Sequence, residues 1–172
     1  MEGKMLATHI DAERRYDKIR RDALKAISIQ IDSIQNLEFK LIDDLALSAA
    51  KKWNESDNRL VSWEWENYGQ FKMSYPKRFE LALWHNNHLT SLSLGRPTYN
   101  ATGLRLDFIE RNSDYEDVKV FQITLAAMNV YADALGAKEL RVMNPINDEV
   151  KKCYETFGLQ YVAKGDYLFI RV

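Results

Sequence analysis

The chain has 172 residues, of which 46% are apolar, so it can bury the core of one globular domain and is too short for two full ones. It has 24 lysines and arginines and 25 aspartates and glutamates, so its net charge is close to zero. This excludes a long-range attraction to nucleic acids or to anionic membranes. Cys153 is the only cysteine, which excludes an intramolecular disulfide. The sequence shows neither a secretory signal nor an apolar run of ~20 residues, so we expect a cytoplasmic protein.

The first part of the sequence has the apolar spacing of helices. Between residues 10 and 35 apolar side chains recur every three or four positions, which predicts one long helix or two abutting ones. A second stripe with the same spacing runs through Leu37, Leu41, Leu45 and Ala49, so we expect another helix there.

The segment before Pro76 allows two interpretations. Ser62 favours a short third helix, because serine is a common N-terminal cap and the residue before a proline avoids helical geometry. Alternation across Leu60–Tyr68 favours a strand instead. With the helix, residues 1–75 form a helical N-terminal part and residues 76–172 the sheet-containing part of one domain.

After residue 76 the pattern changes to the alternation that is typical of strands. Residues 79–83 and 89–94 flank an Asn-Asn turn, which predicts a β-hairpin, and residues 104–108 predict a third strand. The helical period returns over residues 117–135, and Gly136 stands where a C-terminal cap belongs.

The C-terminal part predicts a strand, a helix and a hairpin. Residues 138–143 form the strand, residues 148–157 the helix, and residues 160–163 and 167–172 the hairpin. The complete order predicts an α/β fold of the α+β type. Its sheet is mixed and mostly antiparallel, helices flank it, and a helical N-terminal segment is added.

Two segments of this region resemble the GNAT acetyltransferase family. They are residues 135–147, LGAKELRVMNPIN, and residues 154–159, YETFGL. In that family a helix ends in a Gly-Ala-like turn, a strand ends in an asparagine, and a helix that carries a tyrosine stops at a glycine. The likeness covers residues 79–172. It implies a GNAT-like fold and an N-acetyltransferase that moves the acetyl group of acetyl-CoA to an amine of a small molecule or a protein.

The resemblance also implies where this chemistry takes place. The pantetheine arm of acetyl-CoA would enter a V-shaped opening between the third strand and the strand at residues 138–143, held by backbone near Phe108 and Ile109. Tyr154 occupies the position of the tyrosine that protonates the departing thiol. Asn147 matches an asparagine that contacts either the cofactor or the backbone at a helix end.

Two carboxylates lie on the predicted third strand. Glu110 could accept a proton from the amine through a water molecule, which makes it the predicted base. For both Glu110 and Asp107 a solvated strand face is the alternative interpretation. The three histidines have no cysteine or carboxylate cluster at ligand spacing beside them, so no metal site is expected.

The loop before the long helix departs from the family pattern. GNAT enzymes carry Arg/Gln-x-x-Gly-x-Gly/Ala there, so that backbone N–H groups can wrap the pyrophosphate. The equivalent stretch here has no glycine, and the backbone that would have to bind the phosphates is that of Val118, Lys119, Val120 and Phe121. Asp114, Glu116 and Asp117 place negative charge nearby, in what the helix pattern predicts to be its first turn.

This departure keeps a second hypothesis open. The chain would then be a non-catalytic GNAT-fold protein that acts as a binding or oligomerisation module, for a protein partner or within a homodimer. The first hypothesis requires acetyl-CoA as co-substrate, and the second does not.

Overall fold

The computed structural model describes the backbone of residues 2–172 and the side chains from residue 8 onward. The five helices of that range and its seven strands follow one another in the order α1, β1, α2, α3, β2, β3, β4, α4, β5, α5, β6 and β7. The helices are α1 (Glu2–Gln30), α2 (Asp44–Lys51), α3 (Tyr68–Ser74), α4 (Val120–Leu135) and α5 (Asp148–Glu155). The strands are β1 (Leu37–Lys40), β2 (Phe79–His85), β3 (His88–Pro97), β4 (Gly103–Arg111), β5 (Glu139–Met143), β6 (Gln160–Val162) and β7 (Tyr167–Arg171).

All seven strands form one sheet in the order β1-β2-β3-β4-β5-β7-β6. The pairing is antiparallel everywhere except between β4 and β5, which run parallel because α4 carries the chain across the sheet between them. The predicted α/β fold with a mixed, mostly antiparallel sheet is therefore confirmed.

Helices cover both faces of the sheet, and each face has its own apolar core. Phe79, Leu81 and Leu83 of β2 join α1 and α4 on one face. Ala82 and Trp84 of the same strand join α2 and the segment around Trp53, Trp65 and Tyr68 on the other. The strict alternation along β2 thus assigns consecutive side chains to opposite cores.

One predicted helix is partly wrong. Residues 37–40 form strand β1, which pairs with β2 at the edge of the sheet, and α2 begins only at Asp44 with Asp43 as its cap. Leu37 and Phe39 are half-buried while Glu38 and Lys40 are exposed, which is the period of a strand. The N-terminal part therefore contributes a strand as well as helices.

The region before Pro76 follows the helical interpretation, with a later start. Residues 65–67 form a helical turn that continues into α3, so the strand alternative across Leu60–Tyr68 is wrong. Ser62 precedes the helical turn and does not cap it. Residues 56–64 have no regular secondary structure, and this irregular segment takes part in the candidate site.

A buried ionic cluster joins the N-terminal helices to the sheet. Glu80 of β2 accepts hydrogen bonds from Arg78 Nε at 2.8 Å, the Tyr68 hydroxyl at 2.8 Å and the Ile42 N–H at 2.7 Å. Arg78 also bonds Glu13, as does Arg20, and both arginines are almost fully buried. Burial alone would raise the pKa of Glu13, but the bonds and charges of Arg78 and Arg20 lower it overall.

Candidate active site

Strands β4 and β5 part in the middle of the sheet and leave a cleft. They are paired over four residue pairs, from Gly103–Glu139 to Leu106–Val142. Beyond these pairs β4 continues to Arg111, while β5 ends one residue later. The cleft between the separated ends has a volume of about 600 Å³. Backbone groups of β4 on this side have no strand partner and can bond a ligand that carries amides.

A bulge in β4 lies at the point where the two strands part. Leu94 of β3 is opposite Phe108 and Gly95 is opposite Leu106, so Asp107 is the additional residue on β4. Gly95 is required by the close approach of the strands, because a Cβ at this position would lie 2.1 Å from the carbonyl oxygen of Arg105. The bulge directs β4 away from β5 and places Asp107 in the wall of the cleft.

The walls of the cleft are mostly apolar. One wall comes from β4 and β5, one from α5, one from the beginning of α4, and one from residues 60–63 of the irregular N-terminal segment. The apolar side chains are those of Leu60, Val61, Trp63, Leu106, Ile109, Val118, Val120, Phe121, Val142, Met143, Pro145, Ile146, Val150, Tyr154 and Phe157. Such a lining favours a ligand with an apolar arm and raises the cost of any unpaired charge inside.

Tyr154 extends from α5 into this cleft, where the resemblance predicted a catalytic tyrosine. Its ring stacks on Phe121 of α4 with 3.9 Å between the centroids and 16° between the planes. Burial, and then the proximity of Cys153, raises the pKa of the phenol to about 12, so the hydroxyl is protonated at neutral pH. No side chain from residue 8 onward bonds this hydroxyl, which leaves it available to a ligand.

Glu110, the predicted base, is engaged by other residues. Its two oxygens accept hydrogen bonds from Arg59 at 2.6 and 2.9 Å, and one of them also accepts the Trp65 indole N–H at 2.8 Å. The side chain is only 2% exposed. A carboxylate held by three donors is poorly suited to accept a further proton, so these contacts favour a positioning role for Glu110.

Among the side chains described from residue 8 onward, none donates a hydrogen bond to one buried oxygen of Asp107, in contrast to Glu110. Its Oδ1 accepts hydrogen bonds from Arg105, whereas Oδ2 accepts none and has Arg96 Nε 3.6 Å away. Burial raises the pKa of this carboxyl, and the charges of Arg105 and Arg96 offset only part of that rise. Sequence reasoning treated Asp107 as a strand-face residue because the bulge cannot be read from the strand pattern.

Residues 56–63, which we call the strap, lie across one side of the cleft. Ser56 and Asn58 bond Asp114, and Arg59 bonds Glu110. The Trp63 indole N–H donates to the Ile109 carbonyl at 3.1 Å, so one of the backbone acceptors of β4 is already used. Sequence reasoning missed the strap. Its apolar residues, which stand between polar ones without a helical period, were a signal that this segment packs against the rest of the domain.

Comparison with solved structures identifies the arrangement. No protein-family model matches the sequence, and no curated protein is significantly similar to it. An acetyltransferase from Thermus thermophilus matches with a TM-score of 0.63 at 15% identity, over 81% of this chain and 99% of that one. An acetyltransferase of the GNAT family from Staphylococcus aureus matches with a TM-score of 0.61 at 8% identity, over 78% and 98%.

A third match contains a ligand. Arabidopsis thaliana Naa50, in complex with the bisubstrate analogue CoA-Ac-MVNAL, has a TM-score of 0.56 at 12% identity, over 80% of this chain and 98% of that one. This chain has the GNAT fold. The resemblance seen in the sequence is thereby confirmed at the level of the fold, and β1 of the N-terminal part forms one edge of the sheet.

The start of α4, where the GNAT pattern has its glycine-containing loop, is unusual here. Helix α4 begins at Val120 with Lys119 before it, and the side chains of Val118 and Val120 are buried in the core, while Lys119 is exposed. The first turn of a helix has N–H groups without intrahelical partners, which can bond a phosphate. The ring of Phe121, which the GNAT pattern replaces by a small residue, instead covers Tyr154.

The predicted acidic first turn of α4 is wrong. The helix begins three residues after Asp117, and none of the three acids lies in its first turn. Asp114 is bonded to the strap, and Glu116 is 3.6 Å from Arg111. Arg111, at the free end of β4, lines the cleft and is a second cation beside Lys119 that sequence reasoning did not single out.

The side chains of the two remaining predicted site residues, Asn147 and Phe108, do not line the cleft. Asn147 caps α5, because its side-chain oxygen accepts the Val150 N–H at 2.8 Å, so of its two implied contacts the structure shows the one to the helix end. The Phe108 ring packs against Trp63 and Phe71 on the other face of the sheet, which leaves only its backbone for a ligand. Within the described range no cluster of metal-ligating side chains occurs, and no helix is long and apolar enough to cross a bilayer.

Proposed function

We propose that this chain is an N-acetyltransferase that uses acetyl-CoA and transfers its acetyl group to an amine. The observation that carries the proposal is the free hydroxyl of Tyr154 in an apolar cleft between separated parallel strands. The GNAT fold supports it, since matching structures are acetyltransferases and Naa50 binds an analogue that contains coenzyme A. A fold alone does not establish an activity, so the activity has to be argued from the residues of the site.

The cleft fits the pantetheine arm better than the phosphates. Backbone of β4 near Phe108 and Ile109 has no partner strand there, and the apolar walls exclude water from the arm. For the pyrophosphate, the first turn of α4 at Val120 and Phe121 offers N–H groups, and Lys119 with Arg111 offers positive charge. No glycine brings the backbone closer, and Glu116 partly cancels the positive charge.

The side chains divide the proton transfers between them. Acetyl-CoA would supply the activated acetyl thioester. Tyr154 holds a proton on its hydroxyl and donates it to the sulfur that leaves. For the proton that the amine loses, we propose Asp107 rather than Glu110, because one oxygen of Asp107 has no hydrogen bond whereas Glu110 is held by Arg59 and Trp65.

Calorimetric titration with acetyl-CoA and with S-acetylpantetheine tests the donor site. We expect saturable binding of both, with less than a tenfold advantage for acetyl-CoA, because the phosphate end lacks the glycine-rich loop. An advantage of a thousandfold would show that the start of α4 binds phosphates strongly despite its sequence. Absence of binding at millimolar concentrations of either ligand would remove the enzyme proposal.

The binding-module hypothesis remains the second candidate, and the strap favours it. Trp63 occupies the Ile109 carbonyl, and a module without a donor would keep this contact permanently. This hypothesis expects no acetyl transfer and a molecular mass by light scattering that rises with protein concentration. A monomer with turnover of acetyl-CoA contradicts it.

A further inference from the structure

A second cavity, of about 520 Å³, lies next to the cleft and is strongly cationic. It is formed between the end of α3 with the following loop and the turn that joins β3 to β4. Lys77, Arg96 and Arg105 line it, and no carboxylate from residue 8 onward does. Its volume is in the range of small-molecule sites.

The cations of this cavity are held in place and are only partly neutralised. Arg96 lies over the ring of Tyr75, with 4.3 Å between its guanidinium carbon and the centroid. Arg96 and Arg105 share a single acid, Asp107, so the cavity keeps an excess of positive charge. Their side chains are 29% and 26% exposed, which keeps them accessible to a ligand.

A further arginine, Arg141, is the strand partner of Arg105 but does not line the cavity. Arg105 of β4 and Arg141 of β5 face each other in the parallel pairing, so the two residues occupy the same level of the sheet. Arg141 is bonded to Glu139 at 3.3 Å and lies over the ring of Tyr167. Because Glu139 neutralises Arg141, the excess positive charge of the cavity comes from Lys77, Arg96 and Arg105.

Asp107 connects the cationic cavity to the cleft through its ion pairs, although the two cavities share no lining residue. This residue lines the cleft, while both of its arginine partners line the second cavity. A molecule whose negative group is bound by Arg96 and Arg105 would therefore have its other end close to Asp107 and to the cleft. Arginine suits this task, because its guanidinium binds carboxylates and phosphates through two parallel hydrogen bonds.

We propose that the cavity lined by Lys77, Arg96 and Arg105 binds the acceptor, and that the acceptor is a small amine carrying a carboxylate or phosphate group. That the bound amine accepts an acetyl group rests on the proposed function. The anion site itself does not. The negative group lies at the arginines, and the amine lies toward Asp107, the carboxylate that both arginines approach.

Matched pairs of ligands test the site by calorimetry, first without acetyl-CoA. A panel of amino acids is compared with the corresponding amino acid amides, and aminoalkyl phosphates are compared with the corresponding amino alcohols. We expect at least one anionic ligand to bind at least tenfold more tightly than its neutral counterpart. Comparison of the amino acid series with the aminoalkyl phosphate series shows whether the site prefers a carboxylate or a phosphate. Binding of no anionic member, or equal binding of both members of each pair, overturns the proposal.

Variants localise the binding. Arg96→Gln should weaken binding of the anionic amine at least tenfold and leave acetyl-CoA binding within threefold, whereas Lys164→Gln, which removes an exposed charge elsewhere, should change neither. If Arg96→Gln binds the anionic amine as well as the parent does, the assigned cavity is wrong. Anion binding without any acetyl-CoA binding would refute the enzyme proposal and leave the anion site standing.

Discussion

Two groups of buried charges in this molecule differ in whether their acceptors are satisfied. In the cluster beneath α1, both oxygens of Glu80 accept hydrogen bonds, from Arg78, Tyr68 and Ile42. At the bulge of β4, Asp107 has one oxygen without any hydrogen bond. Arg20 Nε beside Glu80 also lacks a hydrogen bond, so the contrast concerns the two carboxylates only. A carboxylate with both oxygens bonded is held in place, whereas Asp107 keeps one unbonded acceptor in the wall of the cleft. The difference separates a structural carboxylate from one that can act on a ligand.

Neutral replacement of each carboxylate gives the largest expected contrast. Glu80→Gln breaks a buried ion pair and should lower the free energy of unfolding by about 3–5 kcal/mol. Asp107→Asn should leave that free energy nearly unchanged or raise it, because burial raises the pKa of Asp107, so the fold favours its neutral form. Urea denaturation monitored by tryptophan fluorescence measures both.

The same two variants must also differ in activity. Asp107→Asn should lower turnover at least tenfold while stability is kept, and Glu80→Gln should lower stability with little change in turnover of the folded fraction. If both variants lose stability equally, the distinction between the two clusters is wrong. Glu155→Gln, on the exposed side of α5, serves as the control for removal of a negative charge.

Tyr154→Phe removes only the hydroxyl from the cleft. If the phenol is the acid, kcat should fall by about 10²-fold or more, which is the ordinary contribution of a general acid. Acetyl-CoA affinity and unfolding free energy should change little, because the stacking on Phe121 is kept and the hydroxyl bonds no described side chain. Tyr161→Phe, at a half-buried tyrosine whose hydroxyl is bonded to Asp166 outside the cleft, is the matched control.

Strands and helices could be predicted wherever one periodicity was unambiguous. The alternation of β2 and the helical period of α4 were recognised, and both elements were found. The stripe through Leu37 and Leu41 was read as helical because a spacing of four residues fits one helical turn and also two strand repeats. The pairing with β2, which is a long-range property, decides for the strand at Leu37.

The site could be predicted only in part. The cleft and Tyr154 followed from a pattern contained in neighbouring residues. The partners of Glu110 could not be foreseen, because Arg59 is 51 residues away in sequence and reaches it through a strap without periodicity. The bulge at Asp107 depends on the register against Gly95, which no single strand encodes.

The strap gives an intermediate effect that tests the role of Glu110. Arg59→Gln and Glu110→Gln each remove one side of the same ion pair, so both should lower the unfolding free energy by a similar amount, about 1–3 kcal/mol. Both should also increase the rate at which acetyl-CoA binds in stopped-flow measurements, because Trp63 is released from the Ile109 carbonyl. Loss of turnover in Glu110→Gln alone, with unchanged stability, would restore Glu110 as the base.

Alkaline titration gives the smallest and most selective effect. Burial raises the pKa of Tyr154 and of Tyr131 to about 12, above that of an exposed phenol. These phenols lose their protons more readily in the unfolded chain than in the folded one. Their contribution to the free energy of unfolding is therefore fully present below about pH 10 and is lost as the pH rises toward 12. Tyr154→Phe should therefore make the fall in unfolding free energy between about pH 9 and pH 11.5 shallower, as measured by urea denaturation at each pH. The control Tyr161→Phe should alter the slope less, and an unchanged slope in Tyr154→Phe would mean that water reaches this phenol in the folded protein.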